Sequence, residues 1–158
     1  IDILPAAHIH YVRAIDNLSI FPTETVDFIY ASHCLAHFPY AKIPQVLNEW
    51  FRVIKKGGFL RLSVPDFDLL LKIYNETNHD MSAIESPLLG GQDSEFNFHR
   101  SFFNRSYLTK HLTKAGFLEC REWYPGIDEL TVDHDFSSFV LTIDGCQYPI
   151  SLNIEAKK

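Results

Sequence analysis

The sequence predicts an α/β domain with a mostly parallel sheet and an antiparallel strand at its C-terminal end. A short apolar run rich in β-formers at Val26–Tyr30 is followed by a helical stripe at Lys42–Ile54 and a second apolar run at Phe59–Val64. This order is typical of a right-handed β-α-β unit with parallel strands. Near the C-terminus, two apolar runs flank the turn pair Asp144 and Gly145, which indicates an antiparallel hairpin.

Two short segments before the β-α-β unit are expected to be strands. Ile1–Leu4 is closed by Pro5, and Ile9–Val12 is followed by Asp16 and Asn17. Because the chain starts inside an apolar run, we expect further sequence upstream of it. The predicted order of elements is β, β, β, α, β, α, α, β, β, in a single domain spanning residues 1–158.

The helix of the β-α-β unit is amphipathic. Its apolar residues recur at the spacing of one helical face, and they are Ile43, Val46, Leu47, Trp50, Phe51 and Ile54. Lys55 and Lys56 suit the negative end of a helix dipole, and Gly57 and Gly58 are expected to end the helix in a left-handed conformation. The second strand should stop at Pro65.

A second helix is predicted over Phe67–Thr77, with Asp66 as its N-cap. The stretch 78–103 shows no sustained periodicity and contains Pro87, Gly90 and Gly91. Connections of this length are usually functional lids or disordered segments. We expect it to be a lid loop.

The C-terminal part offers one more helix and three strands. The helix should run over Tyr107–Ala115, capped by Asn104 or Ser106 and terminated by Gly116. The strand candidates have alternating patterns, and they are Phe117–Tyr124, Phe136–Ile143 and Tyr148–Ala156.

Composition restricts the class of function. The net charge is −6 and the pI is about 5.7, which argues against a nucleic-acid partner because phosphate binding depends on clustered Lys and Arg. No apolar stretch approaches the roughly 18 residues that a membrane span needs. The three cysteines are widely spaced, which favours free thiols in a reducing, cytoplasmic compartment.

Polar residues follow the predicted strands. Ligands bind outside the carboxyl ends of strands in open α/β sheets, which here carry Asp2, Asp16 with Asn17, and the segment Ala31–His33. Ionised carboxylates accept hydrogen bonds from ribose hydroxyls and from an exocyclic amine. The alternative is that these acidic residues are only helix caps and turn formers.

The histidines have competing interpretations. His33 and His37 would share one face of a short helix, but the sequence lacks the further ligand spacing of a metal site, and we predict no metal. His33 has either a substrate-side role or a structural hydrogen bond. His99, next to Arg100 at the end of the lid, is either a general base or a solvated loop residue.

Longer stretches resemble a known family. DFIYASHCLAHF followed by LNEWFRVIKKGGFLRLSVPD is similar to the central part of class I S-adenosylmethionine-dependent methyltransferases, which commonly read D-x-I-x-x-x-H-x-L-E-H and then L-x-E-x-x-R-V-L-K-P-G-G-x-L-x-I-x-x-P. The later GGQDSEFNFHRSFFNRSYLTKHLTKAGF resembles the lid and following helix of a predicted bacterial subgroup, and PISLNIEAKK resembles its closing strand. The resemblance implies a Rossmann-like methyltransferase fold that lacks its first strand.

The resemblance also implies site residues. Asp2 matches the position that binds the cofactor ribose, and Asp16 with Asn17 matches the one that contacts the adenine amine. Ala31, Ser32 and His33 match the segment along the methionine part of S-adenosylmethionine and the substrate. The implied activity is methyl transfer to an oxygen or nitrogen of a small molecule or glycan, with His33 or His99 as the base.

Three departures from the family pattern leave alternatives open. The glycine-rich loop E/D-x-G-x-G is absent, since all seven glycines lie at position 57 or later. Ala36 stands where Glu is common, and Lys56 where Pro is common. Either an upstream segment carries the loop, which we favour, or another chain supplies it, or the domain no longer binds cofactor.

The last possibility gives a rival reading, a non-catalytic methyltransferase-like module that binds a partner. Its apolar C-terminal hairpin would extend a sheet across a homodimer. An enzyme using a nucleotide sugar or a dinucleotide on a similar sheet is a third, weaker alternative, because fold alone does not select chemistry.

Overall fold

The computed structural model describes residues 1–128 and 135–158. Its strands are β1 (Val26–Ser32), β2 (Ile54–Pro65), β3 (Leu118–Glu122), β4 (Val140–Ile143), β5 (Cys146–Pro149) and β6 (Ser151–Lys157). Its α-helices are α1 (Ile43–Val53), α2 (Phe67–Glu76), α3 (Glu85–Leu89) and α4 (Arg105–Ala115). Single 3₁₀ turns lie at Leu35–His37, Tyr40–Lys42 and Met81–Ala83.

Within the described ranges, the main sheet has the strand order β1-β2-β6-β3. β1 and β2 are parallel, and β6 runs antiparallel to both β2 and β3. Three strands therefore share one direction and the C-terminal strand opposes them. The predicted α/β fold with a mostly parallel sheet and an antiparallel C-terminal strand is confirmed.

The main core fills the space between one sheet face and helices α1 and α4. Alternate residues of a strand point to opposite faces, so Leu60, Leu62 and Val64 of β2 join this core. The other face carries Phe59, Arg61 and Ser63 from the same strand. A smaller apolar cluster lies where α2 packs on the β4–β5 hairpin.

The expected strands at the N-terminus are wrong. Ile1–Leu4 and Ile9–Val12 form only one isolated parallel bridge, between Asp2 and Val12. A strand needs a neighbour along its length, and in the described part of the chain these segments share only that single rung. Strongly apolar residues alone were insufficient evidence of sheet.

The predicted end of α1 is also wrong. The helix stops at Val53 and Ile54 already begins β2, while Gly57, with φ +80°, lies within the strand. The register shifts between Val26 and Phe28, so β2 accommodates extra residues there as a bulge. A Cβ on Gly58 would stand 2.6 Å from the Asp27 carbonyl oxygen, so that glycine permits a close approach instead of ending a helix.

The other helix boundaries follow their predicted caps. Asp66 accepts a hydrogen bond from the Asp68 amide at the start of α2, and Asn104 accepts one from the Tyr107 amide at the start of α4. Gly116 ends α4 in the left-handed conformation. The predictions for these helices are confirmed to within two residues at each end.

The C-terminal hairpin forms, but it stands apart from the main sheet. β4 and β5 pair around Asp144 and Gly145 as a separate two-stranded sheet. The expected strand Tyr148–Ala156 is broken at Ile150, because the chain leaves the hairpin there to enter the main sheet as β6. That crossing puts Ser151 opposite Pro65, at the carboxyl end of β2.

Candidate active site

A cavity of about 1250 Å³ extends along β1 and past its carboxyl end. Its walls come from the N-terminal segment, the residues that follow β1, the stretch 86–100 and the C-terminal segment that begins at Phe136. The cavity thus forms where four separate parts of the chain converge. Open α/β sheets bind ligands outside the carboxyl ends of their strands.

The structure brings together most of the candidate site residues. Asp2, Ala31, Ser32, His33 and His99 all line the cavity.

Asp16 and Asn17 lie outside that lining. The Asp16 carboxylate is 3.7 Å from Nζ of Lys42, which does line the cavity, and Asn17 Oδ1 accepts a hydrogen bond from the Ser19 amide at 3.1 Å. The two residues thus stand beside the cavity, one ion-paired with its wall and the other engaged in a local turn.

The segment that carries Asp16 is fixed by α1. Trp50 Nε1 donates to the Ile15 carbonyl oxygen at 2.9 Å, and Glu49 Oε1 accepts from the Leu18 amide at 2.8 Å. Arg52 donates to the Leu18 carbonyl oxygen at 3.1 Å. One turn of α1 therefore fixes Ile15 and Leu18, which line the cavity.

His33 is held at two points. Its backbone amide donates to the Ser63 carbonyl oxygen at 2.9 Å, and its Nε2 lies 2.8 Å from Ser151 Oγ. The expected short helix carrying His33 and His37 is wrong, because His33 has φ +51° and only Leu35–His37 form a helical turn. A left-handed conformation at a residue other than glycine, held by its surroundings, is typical of functional sites.

His37 and His99 face each other with ring centroids 5.0 Å apart. His37 Nδ1 lies 3.2 Å from the Phe98 carbonyl oxygen and His99 Nδ1 lies 3.0 Å from that of Pro87. A carbonyl oxygen only accepts, so both Nδ1 atoms carry hydrogen. His37 thereby ties the end of the predicted lid to the segment after β1, and His99 forms a hydrogen bond within the lid.

That predicted lid, residues 78–103, is not uniformly loop. It contains a 3₁₀ turn and α3, after which a short loop closes between Gly90 and His99, whose amide donates to the Leu89 carbonyl oxygen at 2.8 Å. The loop residues Asp93 and Phe96 line the cavity. Its role as a lid stays a prediction.

A carboxylate network holds the C-terminal segment over the sheet. Tyr30 donates its hydroxyl hydrogen to Asp135 Oδ2 at 2.6 Å, and the Ser137 hydroxyl and amide both reach Asp135 Oδ1. Burial and the hydrogen bond to Asp135 raise the pKa of Tyr30 to about 12. This network keeps Phe136 beside His33, with ring centroids 5.4 Å apart.

Burial determines the charge states in the cavity. It lowers the pKa of His33 to about 4, an effect that His99 and His37 reinforce and Asp135 opposes. Burial also lowers the pKa of His99, as does the neighbouring His37, and it raises the pKa of the Cys34 thiol to about 12. His33 is therefore neutral at physiological pH, and Cys34 is a thiol and not a nucleophilic thiolate.

The His33 pKa predicts a pH dependence of stability. Below pH 6.5 the unfolded chain gains a proton at His33, whereas the folded chain stays neutral there down to about pH 4. Stability should therefore fall as pH falls through this window, by roughly 2–3 kcal/mol from this residue. Urea unfolding between pH 7 and pH 4 measures the slope, and the His33→Asn variant should lose this contribution.

A matched control is His10→Asn, which makes the same chemical change at an exposed histidine outside the cavity. It should keep the wild-type slope. A slope that is unchanged in His33→Asn would contradict the assignment.

Neither a membrane-spanning helix nor a metal-ligand cluster occurs within residues 1–128 and 135–158. No helix there has the length and apolar character to cross a membrane. No three His, Cys, Asp or Glu side chains there come together as a set that would hold a metal ion.

A family profile described as a methyltransferase domain matches residues 1–118. The chain belongs to this methyltransferase domain family. No sequence among curated proteins matches it significantly.

Solved structures of S-adenosylmethionine-dependent methyltransferases share the fold of this methyltransferase domain. One from Archaeoglobus fulgidus aligns with a TM-score of 0.54 at 16% identity, over 91% of this chain and 64% of its own. One from Methanosarcina mazei aligns with a TM-score of 0.56 at 22% identity, over 92% of this chain and 65% of its own.

A third structure is the 1,6-didemethyltoxoflavin-N1-methyltransferase of Burkholderia thailandensis, solved with its substrate and S-adenosylhomocysteine. It aligns with a TM-score of 0.52 at 13% identity, over 94% of this chain and 49% of its own. The chain thus spans less than two thirds of the length of these structures.

Sequence reasoning missed the C-terminal contribution to the site. Ser151 and Phe136 touch His33 from positions more than 100 residues away. Only the register of β6 on β2, which puts Ser151 opposite Pro65, would have pointed to Ser151. No local motif marks either residue.

Proposed function

We propose that the protein transfers a methyl group from S-adenosylmethionine to an oxygen or nitrogen of a small molecule or glycan. The observation that carries this proposal is the shared cavity of Asp2, Ala31, Ser32, His33 and His99 in a member of the methyltransferase family. At about 1250 Å³, the cavity exceeds the size of ordinary ligand pockets. It has room for a nucleoside-sized donor and a small acceptor together.

The wall residues fit the cofactor. Asp2 is exposed at the cavity and commits one carboxylate oxygen to the Leu4 amide at 3.0 Å, which leaves acceptor capacity for ribose hydroxyls. Ala31 and Ser32 have small side chains that permit close approach. Asp16 and Asn17 are proposed to contact the adenine amine from beside the cavity. When bound, the cofactor supplies an electrophilic methyl carbon on a sulfonium.

Methyl transfer asks the protein to position the acceptor, exclude water and take up a proton. Both His33 and His99 line the cavity. We assign the role of proton acceptor to His33. A general base must first be correctly placed, and only then does its pKa matter. His33 is held in place by hydrogen bonds of both its backbone and its ring. His99, near the end of the predicted lid, is the alternative.

We expect His33→Asn to lower kcat about 100-fold, the low end of the range for loss of a general base. Asparagine tolerates the left-handed backbone conformation but does not accept a proton. Single-turnover methyl transfer is the measurement. The wild-type rate should stay level from pH 8 down to pH 5 and fall near the His33 pKa of about 4.

Two histidine variants serve as comparisons. His111→Gln, on α4 and outside the cavity lining, should leave kcat unchanged. His99→Gln should lower it less than tenfold. A 100-fold loss in His99→Gln, with His33→Asn near wild type, would transfer the role of base to His99.

Calorimetric titration of the full-length protein with S-adenosylmethionine tests the proposal itself. We expect one site per chain, weakened at least tenfold by Asp2→Ala because a ribose contact is lost. A folded protein that binds no S-adenosylmethionine would end the proposal. It would favour a methyltransferase-like module that binds a partner.

A further inference from the structure

The hydrogen bonds around Ser151 determine the tautomer of His33. Ser151 Oγ lies 2.6 Å from the Phe136 carbonyl oxygen and 2.8 Å from His33 Nε2. A serine hydroxyl has one hydrogen, and a carbonyl oxygen can only accept. The Ser151 hydrogen is therefore committed to Phe136, so Ser151 Oγ must accept a hydrogen bond from His33 Nε2.

This arrangement leaves His33 Nδ1 as the unprotonated ring nitrogen. Among residues 1–128 and 135–158, no group forms a hydrogen bond with Nδ1, and His33 lines the cavity. The charged groups facing His33 come from three segments: His37 after β1, His99 at the end of the predicted lid, and Asp135 in the C-terminal segment. Burial and the two histidines favour the neutral ring, and the carboxylate opposes them.

The ring has little freedom to turn away. The His33 backbone amide forms a hydrogen bond with Ser63 of β2, and Nε2 forms one with Ser151, the first residue of β6. The ring also packs against Phe136. Only 8% of His33 is exposed, and the residue lines the cavity. A base oriented by a third group is the arrangement that activates nucleophiles in many enzymes.

We propose that Ser151 is a positioning residue that holds His33 as the Nε2–H tautomer, so that Nδ1 accepts the proton of a hydroxyl group on the methyl acceptor. This proposal rests on the proposed function and names its substrate class, an alcohol or a phenol. In the step, the hydroxyl oxygen bonds the methyl carbon while the carbon–sulfur bond breaks, its electron pair goes to sulfur, and the hydroxyl proton passes to Nδ1.

The choice of a hydroxyl follows from the unprotonated Nδ1 of a ring that is fixed in the cavity lining and buried, which makes it a hydrogen-bond acceptor and a weak base. An alkylamine is an ammonium at neutral pH and must lose a proton before it can attack, which a weak base does not achieve. A hydroxyl is neutral and nucleophilic from the start, and its proton becomes acidic only as the methyl bond forms. Phe136 and Phe139, which line the same cavity, favour a hydroxyl carried on an apolar or aromatic framework.

The tautomer can be measured without any cofactor. Long-range ¹H–¹⁵N correlation spectra of ¹⁵N-histidine-labelled protein report which ring nitrogen carries the hydrogen, and the exposed His8 and His10 provide an internal reference. We expect the ratio of Nε2–H to Nδ1–H forms to be about tenfold higher for His33 than for that reference, since one hydrogen bond gives a bias of this order. Ser151→Ala should lower it to the reference, and Ser151→Thr should retain it.

Ser101→Ala is the matched control. It removes a serine hydroxyl that donates to the Phe38 carbonyl oxygen at 2.6 Å, without any contact to His33. The control should keep the wild-type ratio. A wild-type ratio equal to the reference, or one that Ser151→Ala leaves unchanged, overturns the proposal, and the wild-type measurement decides even if Ser151→Ala does not fold.

Phenol and anisole test the substrate class, since anisole carries a methyl group in place of the hydroxyl hydrogen and cannot donate a hydrogen bond. Phenol should shift the His33 Nδ1 resonance at least threefold more than anisole at equal concentration, because a site built to pair with a hydroxyl rejects the analogue that lacks it. Equal shifts overturn the assignment. Failure here is distinguishable from failure of the methyl-transfer proposal, which calorimetry with S-adenosylmethionine tests separately.

Discussion

Replacing Trp50 with alanine is expected to lower the free energy of unfolding by about 3–5 kcal/mol. Only 1% of the Trp50 side chain is exposed, so its removal leaves a large cavity between α1 and the sheet that neighbouring side chains fill incompletely. A loss of this size is a large share of the stability of an ordinary domain. Urea unfolding followed by far-UV circular dichroism measures it.

The Trp50→Phe variant separates packing from hydrogen bonding. Phenylalanine keeps most of the buried ring but loses the bond from Nε1 to the Ile15 carbonyl oxygen, so we expect a loss of only about 1–2 kcal/mol. The segment from Ile15 to Phe21 should become more accessible to proteolysis in both variants. Equal losses in the two variants would show that the hydrogen bond, and not the packed volume, dominates.

The features that the sequence predicted well are local ones. The β1-α1-β2 unit depends on hydrophobic periodicity within some forty residues, and the caps Asp66, Asn104 and Gly116 act on the backbone within three residues of themselves. Such signals do not require knowledge of the rest of the fold. They sufficed to predict a parallel pair and the positions of three helices.

The failures share a dependence on distant partners. Ile1–Leu4 and Ile9–Val12 have strand-like composition, yet strand formation is decided by pairing, and the described structure gives them one bridge. The break at Ile150 depends on where β6 enters the sheet. Gly57 and Gly58 were predicted to end a helix because their β-bulge is defined only by the pairing of β2 with β1.

In the candidate site, too, the residues predicted from local sequence differ from those that depend on distant segments. His33 was found because it follows a predicted strand, and His99 because it ends a predicted loop. Ser151, which sets the tautomer of His33, lies 118 residues away in sequence from it. A local pattern therefore indicates candidate site residues, whereas the residues that orient them come together only in the tertiary fold.

The second large effect concerns the sheet face opposite the main core. Arg61 Nε lies 2.8 Å from Glu155 Oε2, with 4% and 6% of the two residues exposed, and Arg121 Nε lies 2.9 Å from Glu155 Oε1. The Arg61 guanidinium also stands 5.6 Å from the Phe59 ring centroid and 5.5 Å from that of Trp123. The β2–β6 register aligns Arg61 with Glu155, so this ion pair crosses the centre of the sheet.

Glu155→Ala is expected to lower the free energy of unfolding by about 3–5 kcal/mol, because it leaves the buried Arg61 cation without its carboxylate. Urea unfolding at constant pH measures the loss. The double variant Arg61→Met, Glu155→Leu should recover most of it, since replacing both members of a buried ion pair by apolar residues of similar volume is often close to neutral.

Glu119→Ala is the matched control, in an ion pair between β3 and β6. Glu119 Oε2 lies 2.6 Å from Lys157 Nζ, but both side chains are exposed, and exposed ion pairs contribute less than about 1 kcal/mol. The two carboxylates thus have similar ion-pair geometry and differ in burial. If Glu155→Ala and Glu119→Ala lower the free energy of unfolding equally, burial of Arg61 is not what makes Glu155 necessary.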